Sequence, residues 1–288
     1  MIKRFEEARG SLPGFVHYTS AEAATSMISG PSVWLRNASC MNDYGEIEYG
    51  IEKILEFFGG DKGRSFWNAI DEVHPDLSKE IKKSYDDWRH DLSGQTYMIC
   101  LSEHDFDPDQ LGRLSMWRAY GGKKGVAIVI DPEPLLRESD AIGAYTFPVF
   151  YLRKHEIEQL FIRIADNVVS SRAYIGLADR GTVHGFAFWL LQTLSFSLKH
   201  PAFMEEKEWR IVYRPNQNKS DVLVKKNVVI GGLPQIIYEL PLIDIPEKEF
   251  TGISPNELIK KILIGPTNYP LVIKQSLEDK LSDSGVEK

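Results

Sequence analysis

The sequence predicts an α+β fold, a single domain whose mixed, mostly antiparallel sheet has helices packed around it. Three observations carry that expectation. Strand-like and helix-like segments come in uneven blocks without a regular βαβ beat, which disfavours a doubly wound parallel sheet. No internal repeat, low-complexity run or Pro/Gly/Ser linker divides residues 1–288, so one domain is the economical reading. A chain of 288 residues with 43% hydrophobic and 26% charged positions can bury a large core, with no disorder required.

The elements follow in chain order. Phe15 to Tyr18 is an apolar-aromatic run fit for a strand, and Thr19-x-x-Glu22 is a capping-box pattern that opens a helix ending at Gly30. Ser32 to Arg36, with Trp34 between Val33 and Leu35, is a second strand. Ile47, Ile51, Ile54 and Phe58 recur at helical spacing, so a helix runs from about Tyr44 to a stop at Gly59-Gly60, with Asn42 or Asp43 as its N-cap. Helices over Arg64 to Val73 and Leu77 to Leu92 are separated by Pro75. Gln95 to Leu101 is a strand candidate, and Val126 to Ile130 is the clearest buried strand. Ile157, Leu160, Phe161, Ile164 and Val168 share one helical face, and the run Phe186 to Leu191 continues a helical middle that ends near Lys199. From Glu208 to Tyr213, Trp209, Ile211 and Tyr213 alternate with Glu208, Arg210 and Val212, giving a strand with two chemically different faces. Strands at Gln235 to Leu240 and Ile262 to Ile264 and a helix from Leu271 to Leu281 complete the reading.

Composition excludes several classes. A net charge of −7 and a pI near 5.6 argue against a broad basic face for nucleic acid. The pairs Lys82-Lys83, Lys123-Lys124, Lys225-Lys226 and Lys260-Lys261 are short and scattered among acids, as on solvated surface. Val183 to Leu198 is broken by polar residues and falls short of the roughly 20 apolar residues of a membrane span. The first ten residues have no apolar targeting region, so a cytoplasmic location is expected. Cys40 and Cys100 make neither a disulfide framework nor a zinc site, and no metal is expected.

Four stretches concentrate chemistry, and each also has a purely structural reading. His17 and Tyr18 close the first strand, and His17 suits either a hydrogen bond to a ligand hydroxyl or a satisfied core position. Asn42-Asp43-x-x-Glu46 is a polar cluster, but also what a helix N-terminus prefers. Trp117 and Tyr120, three apart before Gly121-Gly122, would share a helical face and stack on a flat ring, or serve as core aromatics. Glu206, Glu208 and Arg210, spaced two apart, would face one way on an extending strand, as a buried charged site or as a solvated edge with an ordinary ion pair.

Taken together and in order, over about residues 15–265, these stretches resemble a largely bacterial family, the domain of unknown function 2971. The matching residues are His17 to Ser20, Asn42 to Glu46, Cys100-Leu101-Ser102 with Met116-Trp117, Tyr120-Gly121 and Lys124-Gly125, and Glu206 to Arg210. Phe203 stands where the family pattern carries a tryptophan. The layout more distantly resembles the ADP-ribosyltransferase superfamily.

That second resemblance implies an ADP-ribosyltransferase-like fold and NAD as substrate, used for ADP-ribosyl transfer or NAD hydrolysis by a bacterial toxin or phage-defence effector. The acceptor would be a protein or a nucleic acid. Cleaving the nicotinamide–ribose bond passes through an oxocarbenium-like state that a carboxylate stabilises. Glu208 would be that carboxylate and Glu206 would orient the acceptor. His17 would hold the adenosine-side ribose, and Tyr18, Trp117 or Tyr120 would stack on nicotinamide. Thr19, Asn42, Asp43 and Arg210 would complete the binding set. Two other readings are a nucleotide- or protein-sensing module that binds without turnover, and a metal-independent hydrolase or nuclease acting through Asp43, Glu46 and Glu206.

Overall fold

A computed structural model describes residues 14–41, 44–137 and 141–286. The chain folds as two compact units, one made of Met1–Asn37, Gln95–Pro148 and Glu205–Lys288, the other of Ala38–Gly94 and Val149–Met204. Neither unit is continuous in sequence, so no linker composition marks the division.

The first unit is built on a sheet of β1 (Phe15–Ser20), β2 (Ser32–Asn37), β3 (Tyr97–Glu103), β4 (Gly125–Ile130), β5 (Ala144–Pro148), β8 (Glu208–Tyr213), β9 (Val224–Ile230), β10 (Leu233–Pro241) and β11 (Ile259–Ile264). Every pairing in it is antiparallel, in keeping with the expected architecture. Its centre is a fork. β8 pairs with β3 from Tyr97 to Ser102, and β5 lies beyond β8. The opposite edge of β3 is shared: β1 pairs with Ser102 and Glu103, and β2 with Tyr97 and Met98. Neither strand pairs with Ile99, Cys100 or Leu101, where β1 and β2 diverge. One branch runs β1-β4-β11 and the other β2-β10-β9.

Alternation along these strands sorts the side chains onto two faces. Phe15, Ile99, Leu101, Ile128, Trp209 and Ile211 enter the main core, which the helices α1 (Ala21–Ser29) and α7 (Pro270–Asp283) help to close with Ala24, Ile28, Leu277 and Leu281. On the other face Val16, Tyr18, Met116, Trp117, Ala127, Val129 and Leu263 make a second cluster. Val126–Ile130 is buried throughout, as a strand covered on both faces must be.

The second unit is helical: α2 (Tyr44–Phe58), α3 (Arg64–Val73), α4 (Leu77–Gln95), α5 (Lys154–Ser170) and α6 (Arg180–Ser197), with β6 (Phe150–Tyr151) and β7 (Leu198–Lys199) as a short parallel pair. Ile54, Phe58, Phe66, Ile81, Phe161 and Leu194 belong to its core. α2 approaches α6 closely at Gly50, where an added Cβ would come within 2.3 Å of the Ser195 carbonyl oxygen. No helix among the described residues is long and apolar enough to cross a membrane.

Several expectations shift in detail. The first helix is capped by Ser20, not Thr19: the Ser20 hydroxyl accepts the Ala23 N–H at 3.1 Å. The strand expected at Gln95 to Leu101 lies two residues later, because α4 continues to Gln95. β5 and β9 were not expected. β9 is largely exposed and shows no apolar alternation, although Gly231 and Gly232, with φ of 58° and 82°, mark the hairpin that joins it to β10.

Candidate functional site

The solvated-edge reading of β8 fails. The strand lies between β3 and β5, and all six of its residues are buried. Trp209, Ile211 and Tyr213 enter the main core, which leaves Glu208 and Arg210 on the opposite face. Arg210 Nε donates to Glu208 Oε1 at 2.6 Å and Nη2 to Oε2 at 3.3 Å, a two-point contact between side chains that are 0% and 4% exposed. Cys100 and Ser102 of β3 stand opposite Arg210 and Glu208. Burying an ion pair gives little net stability, and breaking one strands a charge, so this arrangement is a strong local constraint.

Glu206 does not join that strand. It ends the 3₁₀ turn Pro201–Glu206, and Lys207 adopts a left-handed φ of 43°, so the alternation begins at Glu208. The expected same-face pair of Glu206 and Glu208 is thereby corrected: a single left-handed residue breaks the extended geometry on which it depended.

His17 is separated from Glu208 by the sheet itself. Val16 pairs with Ser102, and Ser102 with Glu208, which puts those three side chains on one face and their neighbour His17 on the other. At the fork, His17 Nδ1 lies 3.3 Å from the Cys100 carbonyl oxygen in hydrogen-bond contact, bridging toward the stretch of β3 that neither branch pairs. The ring borders an otherwise apolar cavity of ≈ 50 Å³ with Val33, Ile99, Leu101, Ile128 and Ile211. That volume suits a water or two, against the roughly 300–1,000 Å³ of ordinary ligand pockets. Burial depresses the imidazole pKa below its usual 6.5. These features fit the core reading of His17. Thr19, two residues on, is half-buried opposite Val126.

The aromatics are packed against protein. Tyr18 and Trp117 meet edge to face, their ring centroids 4.9 Å apart, and both are buried. Trp117 Nε1 donates to the Leu111 carbonyl at 2.9 Å, and the Tyr18 hydroxyl accepts the Arg113 N–H at 3.0 Å. Glycines make room for the indole: a Cβ at Gly112, Gly121 or Gly265 would come within 2.8, 3.0 or 2.7 Å of it. Gly121 therefore serves close packing around Trp117, whereas Gly122 has open space where a Cβ would stand and adopts a positive φ of 55°; Tyr120 is partly buried beside that cluster. Asn42 and Asp43 lie outside the described residues, as does the side chain of Glu46.

Two residues carried no sequence signal. The Arg113 guanidinium donates to the carbonyls of Glu103 and Glu205 and lies 3.5 Å from Asp109, tying the end of β3 to the segment just before β8. His104, the residue after β3, is fully buried, neither ring nitrogen has a hydrogen-bond partner, and burial depresses its pKa. A lone arginine in a loop and a lone histidine among acids have no pattern to betray them.

Comparison with known proteins gives one family. Residues 116–211 match the model described as "Protein of unknown function (DUF2971)". Neither the curated proteins nor the solved structures give a match. The matched stretch contains Met116-Trp117, Tyr120-Gly121, Lys124-Gly125 and Glu206 to Arg210; His17 to Ser20 and Asn42 to Glu46 precede it. Over residues 116–211 the resemblance read from the motifs holds, and that stretch is similar to the DUF2971 model.

Proposed function

We propose that this chain acts by binding, as a nucleotide- or protein-sensing module without turnover. One observation carries the reading: the histidine that would grip a ribose and the carboxylate that would stabilise an oxocarbenium ion point to opposite faces of one sheet. The cavity beside His17 is too small for a nucleotide, and of the three rings expected to stack on nicotinamide Tyr18 and Trp117 are buried against protein, while Tyr120 is partly buried. A residue that grips one end of a dinucleotide and a carboxylate that acts on the other must open into one crevice to position a single molecule, and these two side chains lie on opposite faces. The test is isothermal titration of NAD, ATP and cyclic nucleotides into the full chain, followed by chromatography of the recovered ligand. Saturable binding with ligand recovered intact is expected of a nucleotide sensor. Consumption of any of these ligands contradicts the reading.

A second reading keeps NAD cleavage and an ADP-ribosyltransferase-like fold, with Glu208 as the sole carboxylate. It is favoured by the Arg210 guanidinium, which holds the Glu208 side chain as an ion pair on the polar face of β8. The forked sheet also supports it, because diverging strands are where a crevice opens. Under this reading, cations and polar groups other than His17 would hold the nucleotide. Glu208→Gln would then abolish nicotinamide release while leaving the circular dichroism spectrum unchanged.

A further inference from the structure

The branch β2-β10-β9 ends in a strand that is open to solvent. Among the described strands β9 pairs with β10 alone, in one unbroken register from Val224 to Ile230. Its residues are exposed or half-buried throughout, and Val229 is 68% exposed.

The hairpin turn decides which of its main-chain groups are free. Gly231 and Gly232, with φ of 58° and 82°, are the central residues of a type I′ turn, across which Ile230 and Leu233 form a hydrogen-bonded pair. Bonded and non-bonded pairs alternate along an antiparallel ladder. Val224, Lys226, Val228 and Ile230 therefore turn their main-chain groups to β10, and Lys225, Asn227 and Val229 turn theirs outward. That outward row is centred on Asn227, and such a row is a template for another strand.

The row complements itself. A second copy turned about a two-fold axis at Asn227 sets Lys225 opposite Val229, Lys226 opposite Val228, Val224 opposite Ile230, and Asn227 opposite Asn227. Lysines on an edge ordinarily prevent self-pairing because like charges meet. Here each meets a valine, on which its aliphatic stem can lie, and the Lys226 charge is already engaged by Glu239 of β10. A slide of two residues either way shortens the overlap, and one of those slides sets Lys226 against Lys226. A slide of one residue puts outward groups against groups already bonded to β10. One register alone uses the whole strand without opposing like charges.

We propose that β9 pairs antiparallel with β9 of a second copy of this chain, about a two-fold axis at Asn227, so that two sheets become one across a dimer. This goes beyond the binding reading above and holds whether or not a ligand is turned over.

The test uses the full chain. Sedimentation velocity is expected to show a dimer fraction that rises with concentration up to about 200 µM. Asn227→Cys puts two thiols opposite each other at a Cα separation of about 5.5 Å, within disulfide reach. Mild oxidation should then give a covalent dimer whose bridge maps to position 227 by peptide mass spectrometry. Lys225→Cys should give none, because its own copy lies about 14 Å away along the strand. Val229→Lys sets a lysine against Lys225 at two symmetric places, and Val229→Glu sets a carboxylate there. The glutamate variant should therefore dimerise at least about tenfold more tightly than the lysine variant, by a margin that narrows with salt; circular dichroism checks that both fold. A chain that stays monomeric at about 200 µM leaves the edge to a different protein and overturns the proposal. So does a dimer that Asn227→Cys fails to cross-link, a Lys225→Cys bridge of equal yield, or equal dimerisation of the two Val229 variants.

Discussion

At position 17 the chain places a histidine at the fork of the sheet, in contact with the Cys100 carbonyl and beside a small apolar cavity. Burial lowers the pKa of His17 and also that of His104. The unfolded chain therefore takes up protons near pH 6.5 that the folded chain refuses until lower pH. The associated stability is present above about pH 6.5 and is lost as pH falls below it. His17→Gln removes one titrating ring, so its urea-unfolding free energy is expected to fall less steeply between pH 7.5 and 5.5, the slope for one proton being at most about 1.4 kcal/mol per pH unit; an unchanged slope contradicts this. Glu208 and Arg210 make a second residue-scale expectation. Arg210→Met takes the two-point guanidinium contact away from a buried carboxylate and should cost about 3–5 kcal/mol. A single-variant loss below about 1 kcal/mol in denaturant would mean that water reaches the pair. The more distant family resemblance assigned His17 and Glu208 to one site, but only the register through Val16 and Ser102 reveals that they face apart. That register is a long-range pairing that no local pattern encodes.

Among the elements, helices were the most legible. Ile47, Ile54 and Phe58 of α2 are buried because one face of the helix meets a core, and the period of that face is written in the sequence. β8 was legible because its large apolar residues Trp209, Ile211 and Tyr213 recur at every second position. β9 was not, since its residues are mostly exposed, and neither was the break before β8, because a lysine gives no warning of a positive φ. That break has a measurable consequence. A left-handed φ costs a non-glycine residue about 1–2 kcal/mol, partly offset by the greater freedom of glycine in the unfolded chain. Lys207→Gly is therefore expected to stabilise the protein by about 0.5–1 kcal/mol in thermal unfolding, and destabilisation would mean that the lysine side chain holds the turn. In the helical unit, Gly50→Ala forces a methyl onto the Ser195 carbonyl. The expected loss is about 1–3 kcal/mol in urea, and a neutral result would mean that α2 and α6 separate freely.

On the scale of the whole molecule, uneven blocks of strand and helix foretold an α+β chain, and the antiparallel sheet agrees with that. Its division into two discontinuous units was not legible, because a chain that passes between them in mid-sequence needs no linker. The register through β1, β3 and β8 supports the binding reading, since it sets the polar face of β8 against the face that carries His17. The most direct check is a single-turnover experiment with NAD and a molar excess of the full chain, with free nicotinamide followed by chromatography for hours. Nicotinamide at the level of the protein-free blank is the expected result. Release that approaches one equivalent, and that Glu208→Gln stops, would contradict it.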